Sequence, residues 1–425
     1  MNERINAFLN RHGMNPEYID PSIVSVTMLE HMKAGLDGNV IDMPMIPTYL
    51  GLDGNLEEGK KAVVIDAGGT NYRCGLAEYT GSGFEISGLK VCRMPGTEKP
   101  ASWEEFISFV ADSVEPYLDE TDVIGFCFSY NAEITPEMDG IVCRIDKEVV
   151  VTGCNGKLIG ASLTAELEKR GIPGKRVVIL NDTVAALLGG ISVIDRSSYS
   201  GFAGMICGTG VNTCCPVPAE IIGKLSTPYS GRMLINLESG LFSGIPMGDI
   251  DVRVDAESNN PGEKIMEKMS SGAYLGIICK AALEAAVKEG DLSAVVLEKI
   301  SSIERFDGAV VDEWATGKDS YGVFDGEEEL EFAKELCLAI FERSARCMCT
   351  NIIALMLLTG GGKTADKPMC ICAEGSLISR STYFRPMLEK LLDEYALRKM
   401  NLHCNIVIGK DTTLPGSASA VLLNT

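Results

Sequence analysis

The stretch VVIDAGGTNYRCGLAEY, Val63 to Tyr79, decides how this chain is read. An apolar, β-rich run from Ala62 to Ile65 delivers an acid, Asp66. Gly68 and Gly69 follow at once, then Thr70, Asn71 and Arg73, and a second β-type run covers Cys74 to Glu78. Strand, glycine turn and strand predict a hairpin, not a strand leading into a helix. Glycines let backbone N–H groups approach a bound group closely, and small turns of such groups suit anions. An acid at a strand end can hold a divalent ion or its waters. The pattern suits a clamp for the phosphates of a magnesium nucleotide, and an ordinary glycine hairpin fits the same letters.

An echo of this turn lies downstream. IDAGGTN (65–71) is answered by ICGTGVN (206–212), which carries Gly208, Thr209, Gly210 and Asn212. Two similar halves facing each other would hold a ligand between them. Three further segments carry chemistry. In VVILNDTVAALLGG (177–190) a buried strand ends at Asn181-Asp182-Thr183 and a helix begins. Asp182 is either a base at the strand's carboxyl end or, with Thr183, a helix cap. LINLESG (234–240) sets Glu238 after an apolar strand, and SNNPGEKIMEKMSSGAYLG (258–276) sets Glu263 and Glu267 one turn apart on an expected helix. Lone acids of this kind are more often solvated than functional. TGGGKT (359–364) is a poor phosphate loop, because its first glycine should stand where Leu357 is. A glycine turn ending a helix explains it better.

Composition bounds the answer. The chain has 425 residues, more than one ordinary core takes up, so two domains are expected. Its 46% hydrophobic and 23% charged residues are globular proportions. A net charge of −21 argues against nucleic acid or an anionic membrane as the main partner, though not against ATP. The N-terminal MNERINAFLNRHG has no signal-peptide core, and Ile352 to Leu358 is far too short to span a bilayer. A cytoplasmic location is expected. Fifteen cysteines with no CxxC pair, and three histidines set apart from them, make a zinc site a poor fit; buried reduced thiols fit better. So few histidines leave a carboxylate as the expected general base.

Along the chain strands and helices alternate. Strands are expected at 62–66, 74–79, 85–91, 123–128, 177–180, 201–207 and 406–409. Helices are expected near 101–117, from Asn260 past 285, over 327–358 and over 414–423. Asn260 reads as an N-cap with Pro261 in the first turn.

Taken in order, these motifs resemble the eukaryotic-type hexokinase family, within the actin-like ATPase superfamily. The resemblance runs from EHMKAGLDG (30–38) and MPMIPTYL (43–50) through IDAGGTNYR, FCFSY (126–130), LNDTVAALL, GTGVN, NLESG and NPGEKIMEKMSSGAYLG to EGSL (374–377) and PGSASA (415–420). It implies two ribonuclease H-like α/β domains with mixed sheets around a cleft. The small domain would be 62–181 plus 413–425, and the large one 1–61 plus 182–412. It implies an ATP-dependent hexose kinase with Mg²⁺, glucose the foremost acceptor and mannose or fructose next. Asp182 aligns with the base, and Asp66 with the Mg-associated acid. Gly68, Gly69, Thr70, Asn71 and Arg73 align around the transferring phosphate, Gly208 and Thr209 with the second phosphate loop, and Gly375 and Ser376 with the adenosine site. Ser129, Lys147, Asn181, Asn212, Glu238 and Glu267 align with sugar-holding residues, Lys147 also with a catalytic one.

Departures gather at the sugar. The family's Thr-Lys-Gly-Phe loop reads Asp146-Lys147-Glu148-Val149, the usual proline is Asn131, the usual Trp is Ser239 and the usual Gln is Lys264. They bear on sugar preference and leave the nucleotide half intact. A sugar sensor without turnover and a kinase for an amino sugar remain the alternatives.

Overall fold

The computed structural model of the chain describes residues 3–145 and 149–425. Two mixed sheets carry the architecture, and the stretch around Asp66 builds the centre of the first. Lys61–Ala67 pairs antiparallel with Asn71–Tyr79, which makes the expected hairpin, and Phe84–Arg93 adds antiparallel to that. On its other side Lys61–Ala67 runs parallel to Val123–Phe128, which runs parallel to Arg176–Leu180.

The second sheet repeats the order. Its hairpin is Gly201–Cys207 with Val211–Pro218, and Arg232–Asn236 adds antiparallel. Met369–Glu374 and Cys404–Ile408 add in parallel on the far side, and the short Ile46–Pro47 extends the near edge. Apart from that short strand, both sheets lay their strands in the order third, second, first, fourth, fifth. The echo between IDAGGTN and ICGTGVN is thus one turn, built twice at the same place in two like sheets.

Alternation along the strands explains the layers. Val63, Ile65 and Ala67 point into a core built with the helices Trp103–Val114 and Ile159–Lys169, while Ala62 and Val64 point into a second core on the opposite face. Burial of both faces is what a central strand of a sheet covered by helices on both sides requires. Asp66 falls on the Ala62 and Val64 face. That face meets the closing helix Thr413–Asn424, which packs in turn on the helix Asp182–Ile191, and the latter rests on the second sheet.

Glycines set these close approaches. A Cβ on Gly204 would stand 2.7 Å from both the Cys214 Sγ and the Thr183 carbonyl oxygen. One on Gly416 would be driven into the Ala185 carbonyl, and one on Gly125 into that of Ser417. A third and larger core surrounds the 33-residue helix Glu327–Thr359. That helix ends at Gly360, whose φ of 70° and bond to the Met356 carbonyl make the expected terminating turn.

Three local expectations need correction. The helix near 101–117 is shorter, Trp103–Val114, because Ser102 and Glu105 form a capping box and Glu115–Tyr117 tightens into a 3-10 turn. Asn260 caps no helix. Gly262 and Lys264 both have left-handed backbones, φ 80° and 55°, which a right-handed helix cannot include, so the helix starts only at Ile265. Asp255 holds this turn through the Gly262 N–H at 2.9 Å and the Lys268 ammonium at 2.6 Å. Glu263 therefore stands in the turn, not one helical turn from Glu267. Helix Ile265–Ser270 is followed by Gly272–Glu289.

All fifteen cysteines are free thiols, twelve of them buried. Among the described residues no helix is long and apolar enough to cross a membrane.

Candidate active site

The two hairpin turns and two helix starts converge. Asp66, Gly68, Ser129, Asp182, Ile206, Glu374, Gly375 and Thr413 line a cavity of about 250 Å³. A larger surface cavity of about 520 Å³ lies along the edge strand Cys404–Ile408 and holds none of these residues.

Each wall has a local cause. At the first turn, Gly69 takes φ 88°, which a side chain would strain. A Cβ on Gly68 would stand 3.0 Å from the Ser129 hydroxyl, so the glycine keeps that hydroxyl against the turn. The Ser129 N–H donates to the Ala67 carbonyl at 3.1 Å, and the Tyr130 hydroxyl to the Gly69 carbonyl at 2.5 Å. These bonds tie the end of Val123–Phe128 to the glycine hairpin. Asp66 pairs with Arg73, whose Nη2 lies 2.7 Å from its Oδ2, and Arg73 also reaches Asp411 at 3.7 Å. Thr70 and Asn71 complete the turn.

Asp182 is the first residue of its helix, but it is not the cap. Asn181 is: its side-chain oxygen accepts from the Thr183 N–H at 2.9 Å. The Asp182 carboxylate lines the cavity, and the Thr183 hydroxyl donates to it at 3.3 Å. Asp66 and Asp182 flank the strand between them closely enough to act on one thiol. Burial first, and the two carboxylates next, push the Cys127 thiol up from its ordinary value.

The second turn meets the adenosine-like motif through glycines. A Cβ on Gly208 would stand 3.1 Å from the Ser376 nitrogen, and one on Gly375 (φ 128°) would meet the Cys207 carbonyl. The Gly272 N–H, at the start of the helix Gly272–Glu289, donates to the Gly208 carbonyl at 2.7 Å, and the Ala273 N–H to the Thr209 carbonyl at 3.4 Å.

Asn212, Glu238 and Glu267 form a second group with Asn236. Asn212 donates to the Asn236 side-chain oxygen at 2.8 Å, and Asn236 donates to Glu238 Oε1 at 2.7 Å. The Asn212 oxygen accepts from the Thr213 and Ser239 N–H groups, which fixes which way its amide faces. Glu267 accepts from the Val211 N–H at 3.3 Å, and Lys264 lies 3.4 Å from its other oxygen. A Cβ on Gly210 would stand 2.7 Å from Glu267 Oε2, so that turn glycine makes room for the acid. Burial holds the Glu238 carboxyl above the ordinary glutamate value, against the pull of the Asn236 hydrogen bond.

Sequence reasoning overlooked Asn236, Glu374 and Thr413. The signal for Asn236 was in NLESG: two residues before Glu238 puts it on the same side of an extended chain. Glu374 accepts from both the backbone and the hydroxyl of Thr412, and so anchors the turn that opens the closing helix. Nothing in the sequence pairs those two residues. Lys147 lies outside the described residues.

Two family models described as Hexokinase match the chain, one over residues 7–191 and the other over 202–423. Hexokinase-1 of Schizosaccharomyces pombe is 30% identical over 397 residues, 86% of this chain and 79% of its own length. Hexokinase-7 of Oryza sativa subsp. japonica is 28% identical over 93% of this chain and 91% of its own. Among solved structures, a hexokinase from Schistosoma mansoni complexed with glucose superposes with a TM-score of 0.79 at 19% identity, covering 98% of this chain and 99% of that one.

Proposed function

Because this chain belongs to the hexokinase family and is a hexose kinase that uses ATP, we propose that it transfers the γ-phosphate of Mg-ATP to the 6-hydroxyl of a hexose, with Asp182 as the base. Its fold is the two-domain, actin-like α/β fold of those enzymes. We divide it as the sequence suggests, 62–181 with 413–425 against 1–61 with 182–412. The packing of the closing helix on the first sheet supports that division.

One observation carries the reading. A carboxylate at a helix start, a second at a strand end and a glycine turn share one cavity, with Asn212, Asn236 and Glu238 joined by hydrogen bonds and Glu267 held beside them by the Val211 N–H. Phosphoryl transfer asks for positioning and charge stabilisation more than covalent chemistry. The turns at Gly68–Asn71 and Gly208–Gly210 would offer N–H groups to the nucleotide phosphates, and Gly375 and Ser376 would border the adenosine. Arg73 would stabilise charge on the transferring group. Asn181, Asn212, Glu238, Glu267 and Ser129 would fix the sugar hydroxyls, each through a short polar arm. Asp182 would receive the hydroxyl proton while Thr183 steadies it.

Magnesium fits as a nucleotide-bound ion. Among the described residues no three His, Cys, Asp or Glu side chains are grouped to hold a metal unaided. One or two carboxylates with phosphate oxygens and waters is the usual magnesium environment, and Asp66 would supply the carboxylate. The ion would neutralise phosphate charge.

Glucose is the first acceptor to try, since a structural neighbour is complexed with it. The deciding experiment compares ADP release by the wild type and Asp182→Ala across glucose, mannose, fructose and N-acetylglucosamine. We expect turnover with a hexose, lowered roughly 10²–10⁴-fold by the substitution while sugar binding persists. Turnover unaffected by Asp182→Ala would remove Asp182 as the base.

A further inference from the structure

Lys264 stands against the carboxylates read above as sugar-holding. Its ammonium lies 3.4 Å from Glu267 Oε1, with 49% of its side chain exposed against 21% for Glu267. Its position is set by the backbone. Lys264 is one of seven non-glycine residues with positive φ in the described chain, and Glu238 is another. Such conformations persist where the surroundings impose them. The left-handed turn at Lys264 ends where Ile265–Ser270 begins, and Lys268 of that helix bonds back to the Asn260 carbonyl at 2.7 Å. The cation is therefore carried on a braced turn beside the cluster.

Charge gives this position its meaning. Asp182, Glu238 and Glu267 bring three carboxylates to one region, and such a region draws cations as readily as it binds neutral polyols. Lys264 places a positive charge against two of the three: it pairs with Glu267 and acts on Glu238. Tyr274, on the following helix, lies within reach of Glu267 and Lys264. Asp255, also nearby, is committed to Lys268 at 2.6 Å.

We propose that Lys264 sets the charge specificity of the acceptor site, excluding hexoses that carry an ammonium group and reserving the site for neutral ones. A neutral hydroxyl can accept a hydrogen bond from the Lys264 ammonium, which has donors only. An ammonium group on the sugar has no lone pair to offer and meets a like charge. The inference rests on the reading of Glu238 and Glu267 as sugar-binding residues, and it concerns which acceptor is taken rather than whether phosphate is transferred.

The test is the ratio of kcat/KM for glucosamine to that for glucose, with Mg-ATP saturating, in the wild type, Lys264→Arg, Lys264→Gln and Lys264→Glu. Lys264→Arg should keep the wild-type ratio. Lys264→Gln should raise it about tenfold, chiefly through KM, and Lys264→Glu should raise it further. In the wild type the ratio should climb with pH as the sugar amine loses its proton, and Lys264→Gln should flatten that climb. A ratio equal in all four proteins, with glucose still turned over, overturns the proposal. No turnover of any hexose by the wild type would instead strike the kinase reading. Binding of glucose and glucosamine measured by calorimetry in the same four proteins would then decide the role of Lys264.

Discussion

Arg73 and Asp66 stand directly opposite each other across the glycine hairpin, and the guanidinium grips one carboxylate oxygen from Nε at 2.9 Å and Nη2 at 2.7 Å. Cross-strand register, not proximity in sequence, makes this pair. Both side chains are partly open to the cleft, where a pair of this kind contributes little stability, about 0–1 kcal/mol. Arg73→Lys should therefore leave the urea midpoint nearly unchanged. With the forked geometry lost, kcat should fall about tenfold or more. Equal losses of stability and turnover would make the pair structural.

Asn236 is predicted to tune Glu238. Its amide is the donor that opposes the upward push of burial on that carboxyl. Losing it leaves a buried acceptor short of a partner, a cost of about 1–3 kcal/mol. Asn236→Ala should raise the glucose KM about tenfold and shift the acid limb of kcat/KM to higher pH.

The sign of the Glu238 effect differs between affinity and stability. Ionised, Glu238 accepts a sugar hydroxyl; protonated, it loses that role in part. Its folded value lies above the ordinary one, so sugar affinity should begin to fall at a higher pH than an unperturbed glutamate would allow. The fold holds that proton more tightly than the unfolded chain does. The Glu238 share of stability therefore becomes more favourable as pH falls from neutrality through the raised value. In Glu238→Gln the acid limb should move to lower pH, which a pH series of kcat/KM would measure.

Gly416 is where the closing helix meets the helix that starts with Asp182. Gly416→Ala drives a methyl group into the Ala185 carbonyl, and the neighbouring crossing at Gly189 and Thr412 is as tight. Overpacking of this kind costs about 1–3 kcal/mol. Calorimetry should show a lower Tm, and kcat should fall as well, because the same helix carries Asp182. A stability loss with kcat intact would mean that the two helices move apart without disturbing Asp182.

Chelation of magnesium should abolish phosphoryl transfer and leave Tm unchanged. Among the described residues no three His, Cys, Asp or Glu side chains are grouped to hold a metal unaided, and an ion that binds only with the nucleotide leaves the stability of the protein without nucleotide unchanged. A Tm that falls on chelation would point to a structural metal instead.

How far the sequence could be read follows from what each feature depends on. The hairpin at Asp66 was legible because glycine and β-type residues act locally. So was the turn ending the helix at Gly360. The helix start near Asn260 was misjudged because the capping signal of Asn260-Pro261 is local, whereas Asp255 and Lys268 reach in from outside to hold a left-handed turn. Asn236 was passed over because an amide in an apolar strand looks like core until its partners are seen.

The sequence by itself determined the order of motifs, the two glycine turns and the family to which they belong, since each depends on residue types within a few positions of one another. Only the tertiary structure decided that the turns occupy equivalent places in two like sheets, that Asp66 faces Arg73, and that Asn212, Asn236 and Glu238 form one network beside a lysine. Those relationships depend on strand register and helix packing, which join residues far apart in the chain through period-two alternation and the space that glycines leave.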